Sequence, residues 1–400
     1  MTNIAILGFG VVGSGVASLI HDNIKEVSAL GGDDVNIKYI LDLRDFPDSP
    51  FSDRIVHDYN VILNDPEVSC VIEVMGGSHP AYEFTVSAIK SGKNVITSNK
   101  EVVAGYGDEF LALAEEYGVS YRFEASVGGG IPVISPMIGF IKQNKISEVR
   151  GILNGTTNYI LTKMFTFGES FDESLREAQT RGYAERNPDA DILGVDACRK
   201  ISILTAIATG NLVPTEKIHT EGIVGIRSED VRAAAKIGCT IKLVGRCIVE
   251  EGRAPFVMVA PFLIPSSEAL SGVFGVYNAI EISASPLGNV MFYGQGAGAG
   301  ATASAVVGDL CQIMRSGVNS AKCVFSKTDA VRDFSEFSAK RYIALDSSCK
   351  DAAKAAFENI KVISEEGEFA FITEDMTEAE AEERLSKIGA SPISLIRLLG

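Results

Sequence analysis

Two oppositely charged side chains in the middle of the chain, Asp196 and Lys200, have the types and the spacing that proton transfer requires. They lie four residues apart, so they share one face of a predicted helix. We expect that face to begin at Ile192, to continue through Ile203 and Ile207, and to point into the protein. A lysine held on an inward face beside a carboxylate is a common acid/base group. The alternative interpretation is an ordinary exposed ion pair on a helix surface.

A glycine-rich loop follows an apolar run at the start of the sequence. The run 4–7 predicts a strand, and the residues after the loop have the apolar spacing of a helix. In a strand–loop–helix unit, Gly8 permits a tight turn, Gly10 lets a pyrophosphate approach the backbone, and Gly13 lets helix and strand pack closely. The segment therefore predicts a dinucleotide-binding site, with a glycine-rich turn that binds nothing as the alternative.

The end of the next predicted strand, 35–43, would lie near the adenosine ribose of a bound dinucleotide. Arg44 follows this strand and suits the 2′-phosphate of NADP, whereas Asp45 suits the 2′-hydroxyl of NAD. We therefore expect NADP to be preferred and NAD to remain possible. A solvated turn is the alternative interpretation of these two residues.

Two further β-branched runs, 71–77 and 94–100, flank a helical pattern and predict parallel strands. Ligands of such sheets lie beyond the carboxyl ends of the strands, where Gly76, Ser98 and Lys100 fall. Lys100 is therefore expected near the nicotinamide of the dinucleotide.

A triple-glycine turn, 128–130, follows a predicted strand that ends close to Glu124. Glycines expose backbone carbonyls, and carbonyls together with one carboxylate suit a hard monovalent or divalent cation. A plain hinge between domains is an equal alternative, because glycines followed by a proline also mark a turn.

Composition and charge argue against several classes of function. The 400 residues are 46% hydrophobic, which is typical of an ordered globular chain with two or three domains. The net charge of −16 argues against nucleic-acid and anionic-membrane partners. The seven cysteines have no paired spacing and the four histidines lie beside no nucleophile motif, which disfavours disulfides, zinc and a Ser-His-Asp mechanism. No apolar run approaches about twenty residues, so we expect a soluble, cytoplasmic protein.

The middle of the chain predicts a second, α+β domain without a nucleotide motif of its own. In the polar segment 154–158, Gly155 and Thr156 either belong to a helix cap or present N–H and hydroxyl groups to a substrate carboxylate. The last segment, 339–400, has the pattern βαββαβ. It resembles the amino-acid-binding regulatory module called ACT, and a small dimer-stabilising appendage is the alternative.

Seven sequence blocks together resemble homoserine dehydrogenase, in the order and at the spacing of that family. They are GFGVVGSGV, VIEVMGG, NVITSNKEVVAG, FEASVGGGIPVI, GILNGTTNYIL, GYAERNPDADILGVDACRK and GQGAGAGATASAVVGDL. The resemblance implies an α/β fold with an N-terminal Rossmann domain (1–135 and 296–320), an α+β catalytic and dimerisation domain (136–295) and the small ACT-like module (339–400). It also implies a homodimer that interconverts L-homoserine and L-aspartate 4-semialdehyde in threonine, isoleucine and methionine biosynthesis.

The same resemblance suggests roles for individual residues. Lys200 matches the proton-transfer lysine of the family, and Asp196 matches a substrate-binding carboxylate that also orients this lysine. Lys100 matches a lysine near the nicotinamide ribose that also takes part in proton transfer. Glu185 matches a second homoserine-binding carboxylate of the family. The remaining substrate-binding candidates come from the sequence itself and are Asp191, Gly155 and Thr156. The backbone contacts to the cofactor align with Phe9, Val11, Val12, Gly76, Ser98, Gly182 and Gly298, and the sodium site aligns with Glu124 and the carbonyls of Val127, Gly129 and Ile131.

Two other classes of protein remain open. A non-catalytic dinucleotide sensor could have the same fold, but it would not need the set of charged residues around Lys200. A dehydrogenase with a thiol nucleophile would need a cysteine near a histidine, and Cys198 has no such neighbour in sequence. The family pattern also changes at Arg186 and Asn187, which leaves the candidate ligands in place.

Overall fold

The computed structural model describes residues 1–316 and 323–400, and the chain divides into two compact units. The first unit comprises Met1–Ser147, Ser202–Thr215 and Ile282–Asp329, and the second comprises Glu148–Ile201, Glu216–Glu281 and Ala330–Gly400. The sequence predicts that the first domain ends at residue 320. Residues 317–320 of that prediction lie outside the described part of the chain. The segment 339–400, predicted as a third domain, falls in the second unit.

The described residues form the following strands and helices, numbered in chain order. The strands are β1 (Thr2–Leu7), β2 (Val35–Leu41), β3 (Ile55–Val56), β4 (Val68–Glu73), β5 (Asn94–Thr97), β6 (Tyr121–Arg122), β7 (Lys145–Ile152), β8 (Asn211–Leu212), β9 (His219–Thr220), β10 (Cys239–Ile248), β11 (Phe256–Pro265), β12 (Tyr277–Ser285), β13 (Gly288–Gln295), β14 (Ser326–Lys327), β15 (Ser338–Ala339), β16 (Arg341–Asp346), β17 (Lys361–Ser364), β18 (Glu368–Ile372), β19 (Met376–Thr377) and β20 (Ser394–Leu398). The helices are α1 (Val11–Asp22), α2 (Ile24–Gly31), α3 (Tyr59–Leu63), α4 (Ala81–Lys90), α5 (Lys100–Glu116), α6 (Ile134–Pro136), α7 (Gly155–Phe167), α8 (Phe171–Thr180), α9 (Asp189–Ile192), α10 (Val195–Thr209), α11 (Ser228–Lys236), α12 (Ala299–Ser316), α13 (Lys350–Ala356) and α14 (Glu378–Ile388). Within the described ranges, no helix is both long and apolar enough to cross a bilayer.

The first unit contains a six-stranded parallel sheet in the order β3-β2-β1-β4-β5-β6. This is the strand order of a Rossmann fold, and it confirms the predicted parallel sheet. The order reverses next to β1, so the loops after β1 and β4 lie on either side of the crevice where such sheets bind ligands. Apolar residues of β1 and α1 pack with α12 in one core that includes Ile4, Ile6, Val16, Ile20 and Leu310.

The second unit is built on a mixed sheet in the order β12-β7-β10-β11-β20-β16-β18-β17. Strands β10 and β11 form a long antiparallel pair and are buried along almost their whole length. Gly245 of β10 lets the helix α10 pack closely on the sheet, because a Cβ there would lie 3.1 Å from Ile201 and 2.8 Å from Leu153. This packing seats the helix that carries Asp196 and Lys200 against the sheet.

The C-terminal segment continues this sheet. Its main elements follow the predicted pattern βαββαβ, from β16 to β20. The last strand, β20, pairs in parallel with β11 through Phe262 and Arg397 and through Leu263 and Leu398, and it pairs antiparallel with β16. The C-terminal strands are therefore hydrogen-bonded to the sheet of the second unit.

A buried ionic network lies beneath the C-terminal strands. The guanidinium of Arg341 donates to Glu378 at 2.6 Å and to the carbonyls of Ala339 and Met376. The guanidinium of Arg397 donates to both carboxylate oxygens of Glu378 at 2.7 and 3.1 Å. One carboxylate thus serves two buried arginines.

Removing the shared carboxylate should destabilise the second unit. We expect Glu378→Ala to lower the free energy of unfolding by about 3–5 kcal/mol, because the buried guanidinium of Arg341 loses its carboxylate partner and that of Arg397 keeps only Glu221, at 2.8 Å. Urea unfolding followed by circular dichroism measures the effect. The matched control is Glu382→Ala on the same helix, whose side chain is exposed and whose loss should change stability by about 0.5 kcal/mol or less. Equal stability of the two variants would contradict this account.

Candidate active site

A buried ion pair lies at the start of α10. The ammonium of Lys200 donates to Oδ2 of Asp196 at 2.7 Å and to the backbone carbonyl of Leu153 at 2.7 Å. The two side chains are only 9% and 5% exposed, and Ile203 and Ile207 on the same face are fully buried. The inward-facing pair predicted from the spacing is confirmed, and the exposed-pair alternative is wrong.

The predicted extent of that helix face was wrong at its start. Ile192 is buried, but it lies in the short helix α9, and α10 begins only at Val195. Gly194 separates the two helices with a left-handed backbone, at φ +84°. The apolar spacing alone could not show this break, because glycine also occurs inside helices.

Asn154 joins the ion pair to a second carboxylate. Its side-chain Oδ1 accepts from the backbone N–H of Thr157 at 2.8 Å and so caps α7. Its Nδ2 donates to Asp191 at 2.6 Å and to Asp196 at 2.9 Å. Burial and the nearby charge of Asp196 raise the pKa of Asp191. The structure therefore brings together the candidates Asp191, Asp196 and Lys200.

The remaining substrate candidates lie around the N-terminus of α7 and the loop after α8. Gly155 is the first residue of α7, and a Cβ there would lie 2.7 Å from the carbonyl oxygen of Val276. The hydroxyl of Thr156 donates to the carbonyl of Tyr183 at 2.6 Å, which ties α7 to that loop. Glu185, two residues further, has an exposed side chain. Its place beside Lys200 stays a prediction.

The glycine loop of the first unit has the predicted close approaches. Gly8 has a left-handed backbone, at φ +97°, and a Cβ on Gly13 would lie 1.9 Å from the carbonyl oxygen of Gly8. A Cβ on Gly10 would meet no atom within 4 Å, so the backbone at the start of α1 is open on that side. This geometry suits a pyrophosphate at the helix N-terminus. Of the other aligned positions in this loop, the Phe9 side chain is buried and that of Val11 is exposed.

The acidic residue beside the glycine loop is Asp42, which sequence analysis missed. Strand β2 ends at Leu41, two residues before the predicted end, so Asp42 directly follows it. Its carboxylate accepts from the backbone N–H of Phe9 at 2.9 Å and from Arg44 at 3.0 and 3.1 Å. The Arg44 guanidinium lowers the pKa of Asp42 to about 2. Asp45, the predicted acidic residue, has an 85% exposed side chain.

A buried glutamate links the loops after β4 and β5. Glu73 accepts from the hydroxyl of Thr97 at 2.6 Å and from the backbone N–H of Met75 at 2.9 Å. Asn99 caps α5 and donates to the carbonyl of Gly77 at 2.7 Å. Burial raises the pKa of Glu73. These contacts hold the candidates Gly76, Ser98 and Lys100 at the carboxyl edge of the parallel sheet, and Lys100 is the first residue of α5.

The sequence matches two family models. The model described as "Homoserine dehydrogenase, NAD binding domain" matches residues 8–124, and the model described as "Homoserine dehydrogenase" matches residues 132–311. Homoserine dehydrogenase from Synechocystis sp. is 40% identical over 319 residues, which are 78% of this chain and 73% of the relative. The chain belongs to the homoserine dehydrogenase family.

Other members agree with this assignment. Homoserine dehydrogenase from Corynebacterium glutamicum is 36% identical over 373 residues, which are 91% of this chain and 83% of the relative. The crystal structure of a homoserine dehydrogenase from Thiobacillus denitrificans has a TM-score of 0.89 and 31% identity, over 100% of this chain and 98% of that chain. The S. aureus homoserine dehydrogenase structure at pH 7.5 has a TM-score of 0.83 and 33% identity, over 100% and 99% of the two chains.

Membership of the family establishes the class of reaction. The protein is an oxidoreductase that acts on the CH–OH group of homoserine and interconverts L-homoserine and L-aspartate 4-semialdehyde with a nicotinamide cofactor. This step belongs to amino-acid biosynthesis. The sensor alternative is therefore wrong. The thiol mechanism also lacks support, because burial raises the pKa of the Cys198 thiol, whereas a nucleophilic thiol needs a lowered one.

The candidate residues for the cation site lie around a turn at Gly128 and Gly129, and both glycines have left-handed backbones. The carboxylate of Glu124 accepts three backbone N–H groups, from Val133, Ile134 and Ser135, at 2.7, 2.8 and 2.7 Å. Both oxygens are thus used to hold the start of α6. A carboxylate can accept more than three contacts, so ligation of a cation by Glu124 together with the carbonyls of Val127, Gly129 and Ile131 stays a prediction.

The other two aligned cofactor positions are glycines at helix ends. Gly182 follows α8 with a left-handed backbone at φ +74°, and Gly298 precedes α12 at φ +116°. Both are exposed. Their contacts with a dinucleotide stay predictions.

Behind Glu124 lies a second buried acid, Asp309, whose carboxylate accepts the backbone N–H of Glu124 at 2.9 Å. Burial, and then the charge of Glu124, raise the pKa of Asp309 to about 7. Between its ordinary value near 4 and about 7, the folded protein therefore binds a proton that the unfolded chain does not. The contribution of Asp309 to stability therefore falls as the pH rises through this window.

Replacing Asp309 with asparagine removes that titration and keeps an acceptor for the Glu124 N–H. We expect Asp309→Asn to gain stability relative to the wild type by about 1.4 kcal/mol for each pH unit through the window. Urea unfolding at a series of pH values between about 4 and 7 measures this gain. The control is Asp329→Asn, at an exposed aspartate of the same unit, which should keep the wild-type slope. A parallel pH dependence of wild type and Asp309→Asn would sink the interpretation.

Proposed function

We propose that Lys200 is the proton-transfer group of the homoserine dehydrogenase reaction. The observation that carries this proposal is its buried ammonium, held at 2.7 Å from both Asp196 and the Leu153 carbonyl. In the reductive direction, protonated Lys200 gives a proton to the aldehyde oxygen of L-aspartate 4-semialdehyde. In the oxidative direction, neutral Lys200 takes the hydroxyl proton of L-homoserine. When bound, the nicotinamide supplies or accepts the hydride at C4 of the substrate.

The residues around Lys200 suit the two charged ends of an amino-acid substrate. We assign the substrate ammonium to the carboxylates of Asp191, Asp196 and Glu185. We assign the substrate carboxylate to the N-terminus of α7 at Gly155 and Thr156, where the unpaired N–H groups of a helix favour negative charge. Lys100, at the start of α5, is assigned to the nicotinamide ribose and to assisting proton transfer.

Loss of the Lys200 ammonium should abolish most of the activity while the cofactor site is kept. We expect Lys200→Ala to lower kcat by about a hundredfold or more with L-homoserine, because the proton loses its acceptor. The rate is followed by nicotinamide absorbance, with NADP⁺ and NAD⁺ in turn. The control is Lys236→Ala, at an exposed lysine on α11. Wild-type turnover in Lys200→Ala would remove Lys200 from its proposed role.

For the cofactor, we propose that NADP and NAD are both accepted and that Arg44 gives NADP its advantage. Arg44 has a 65% exposed side chain and can turn from Asp42 to a 2′-phosphate. Asp42 lies directly after β2 and beside the glycine loop, where an acid hydrogen-bonds the ribose 2′-hydroxyl of NAD. To bind Arg44, a 2′-phosphate must separate the ion pair between Arg44 and Asp42, and its negative charge must then lie close to the Asp42 carboxylate. The preference for NADP should therefore be smaller than Arg44 alone would give.

The cofactor proposal predicts opposite effects of substituting the two partners. Arg44→Ala should raise KM for NADP⁺ about tenfold or more and leave KM for NAD⁺ within about twofold, because only the 2′-phosphate loses a charged partner. Asp42→Asn should raise KM for NAD⁺ instead. Steady-state kinetics with each cofactor measures both changes. Equal effects of Arg44→Ala on the two cofactors would show that Arg44 does not contact the 2′-phosphate.

We also propose a sodium site in the turn after β6. The proposed ligands are Glu124 and the backbone carbonyls of Val127, Gly129 and Ile131. Three backbone N–H groups donate to the Glu124 carboxylate and hold it at the turn. Oxygen ligands of this kind suit a hard monovalent cation. The cation would brace the turn and takes no part in the chemistry.

We further propose a cytoplasmic homodimer with three functional parts: the dinucleotide-binding domain, the catalytic and dimerisation domain, and an ACT-like module formed by 339–400. The seven free thiols support a reducing compartment. Strand β13 exposes Met291 and Tyr293 along the sheet edge, which supports pairing with a second copy. The order β20-β16-β18-β17 and the βαββαβ pattern support the ACT-like assignment.

A further inference from the structure

The amide of Asn154 is buried between the two carboxylates that the proposed function assigns to the substrate ammonium. One nitrogen, Nδ2, serves both of them, at 2.6 Å from Asp191 and at 2.9 Å from Asp196. The residue is only 5% exposed, and its remaining polar atom caps α7 through the N–H of Thr157. A residue that only capped the helix would not need either contact of its nitrogen.

The chemistry of an amide explains why asparagine suits this position. Two carboxylates that accept from one nitrogen must lie close together, and like charges at such a separation repel each other. An amide nitrogen has two N–H donors and no charge, so it can bind one oxygen of each carboxylate without neutralising either. A lysine or arginine would add a positive charge, and an aspartate would add a third negative one.

The charges of the side chains around this amide suit a substrate that brings one positive charge. The ammonium of Lys200 donates to the carboxylate of Asp196 at 2.7 Å. The hydroxyl of Thr156 and the charge of Lys200 both act to lower the pKa of Asp191. If both aspartates are ionised and Lys200 is protonated, the three side chains carry one net negative charge. An α-amino acid brings one ammonium to this place.

We propose that Asn154 is a positioning residue that holds Asp191 and Asp196 side by side as ionised carboxylates, so that both face the substrate ammonium while Asp196 also binds Lys200. The inference rests on the proposed function of this site. Because the same side chain caps α7, it also sets the distance from Asp191 to the helix N-terminus, where the substrate carboxylate is assigned. Asn154 therefore fixes the distance between the group that binds the substrate ammonium and the group that binds the substrate carboxylate.

Two substitutions that keep a helix cap test this role. Serine and aspartate both cap helices well, so Asn154→Ser and Asn154→Asp should leave α7 intact. Serine cannot reach two carboxylates, and aspartate adds a like charge beside them. We expect KM for L-homoserine to rise about tenfold or more in Asn154→Ser and further in Asn154→Asp, with KM for the nicotinamide cofactor within about twofold of wild type.

The pH profile separates positioning from a merely structural role. Without the amide donors, Asp191 should bind a proton more readily, so the acid limb of kcat/KM should move to higher pH in Asn154→Ser. The control is Asn158→Ser, one turn along α7, where the amide donates to the carbonyls of Val273 and Tyr277. That variant should lose stability in urea without moving the acid limb.

Two results distinguish failure of this inference from failure of the proposed function. If Asn154→Ser loses stability but keeps the wild-type acid limb and KM for L-homoserine, Asn154 is only a helix cap and the inference is overturned. If Lys200→Ala keeps wild-type turnover, the proposed site itself is wrong, whatever Asn154→Ser does. A raised KM with a shifted acid limb, alongside an inactive Lys200→Ala, is the result that supports the inference.

Discussion

The packing of the second unit at the start of α10 depends on the buried ammonium group of Lys200. A buried lysine is unfavourable unless its hydrogen-bonding groups are satisfied, and here Asp196 and the Leu153 carbonyl both accept from Lys200. The carbonyl lies just after β7 and the carboxylate lies on α10, so the lysine is satisfied only while helix and sheet are pressed together. Gly245 makes that approach possible, since any larger residue would meet Ile201 and Leu153. The close packing of α10 on the sheet and the hydrogen bonds of Lys200 therefore depend on each other.

Much of this arrangement could be predicted from the sequence. Parallel strands are buried on both faces, so they occur as apolar runs, and the glycine loop between the first strand and helix indicates a dinucleotide site. The four-residue spacing of Asp196 and Lys200 placed both on an inward face, as the structure confirms. These features depend on neighbours in the chain, which a sequence displays directly.

Other features depend on residues far apart in the chain or on where an element stops. Asp42 was missed because β2 ends two residues earlier than its apolar pattern suggests. Asn154 has a recognisable place before a helix, but its bonds to Asp191 and Asp196 cross about forty residues. The carboxylate of Glu124 accepts three backbone N–H groups, and no spacing rule in the sequence predicts these contacts.

Because β20 pairs in parallel with β11, the C-terminal segment is part of the main sheet and not a separate domain joined by a linker. Strand β11 has β10 on one side and, on the other, β9 at Met258 and Val259 and β20 at Phe262 and Leu263, so β11 and β20 lie between β10 and β16. Removing the chain from β16 onward would expose the backbone of β11 at Phe262 and Leu263, and an unpaired strand edge tends to pair with other chains and aggregate. A variant shortened before β16 would therefore need another strand, or a charged or covered edge, at these two residues of β11.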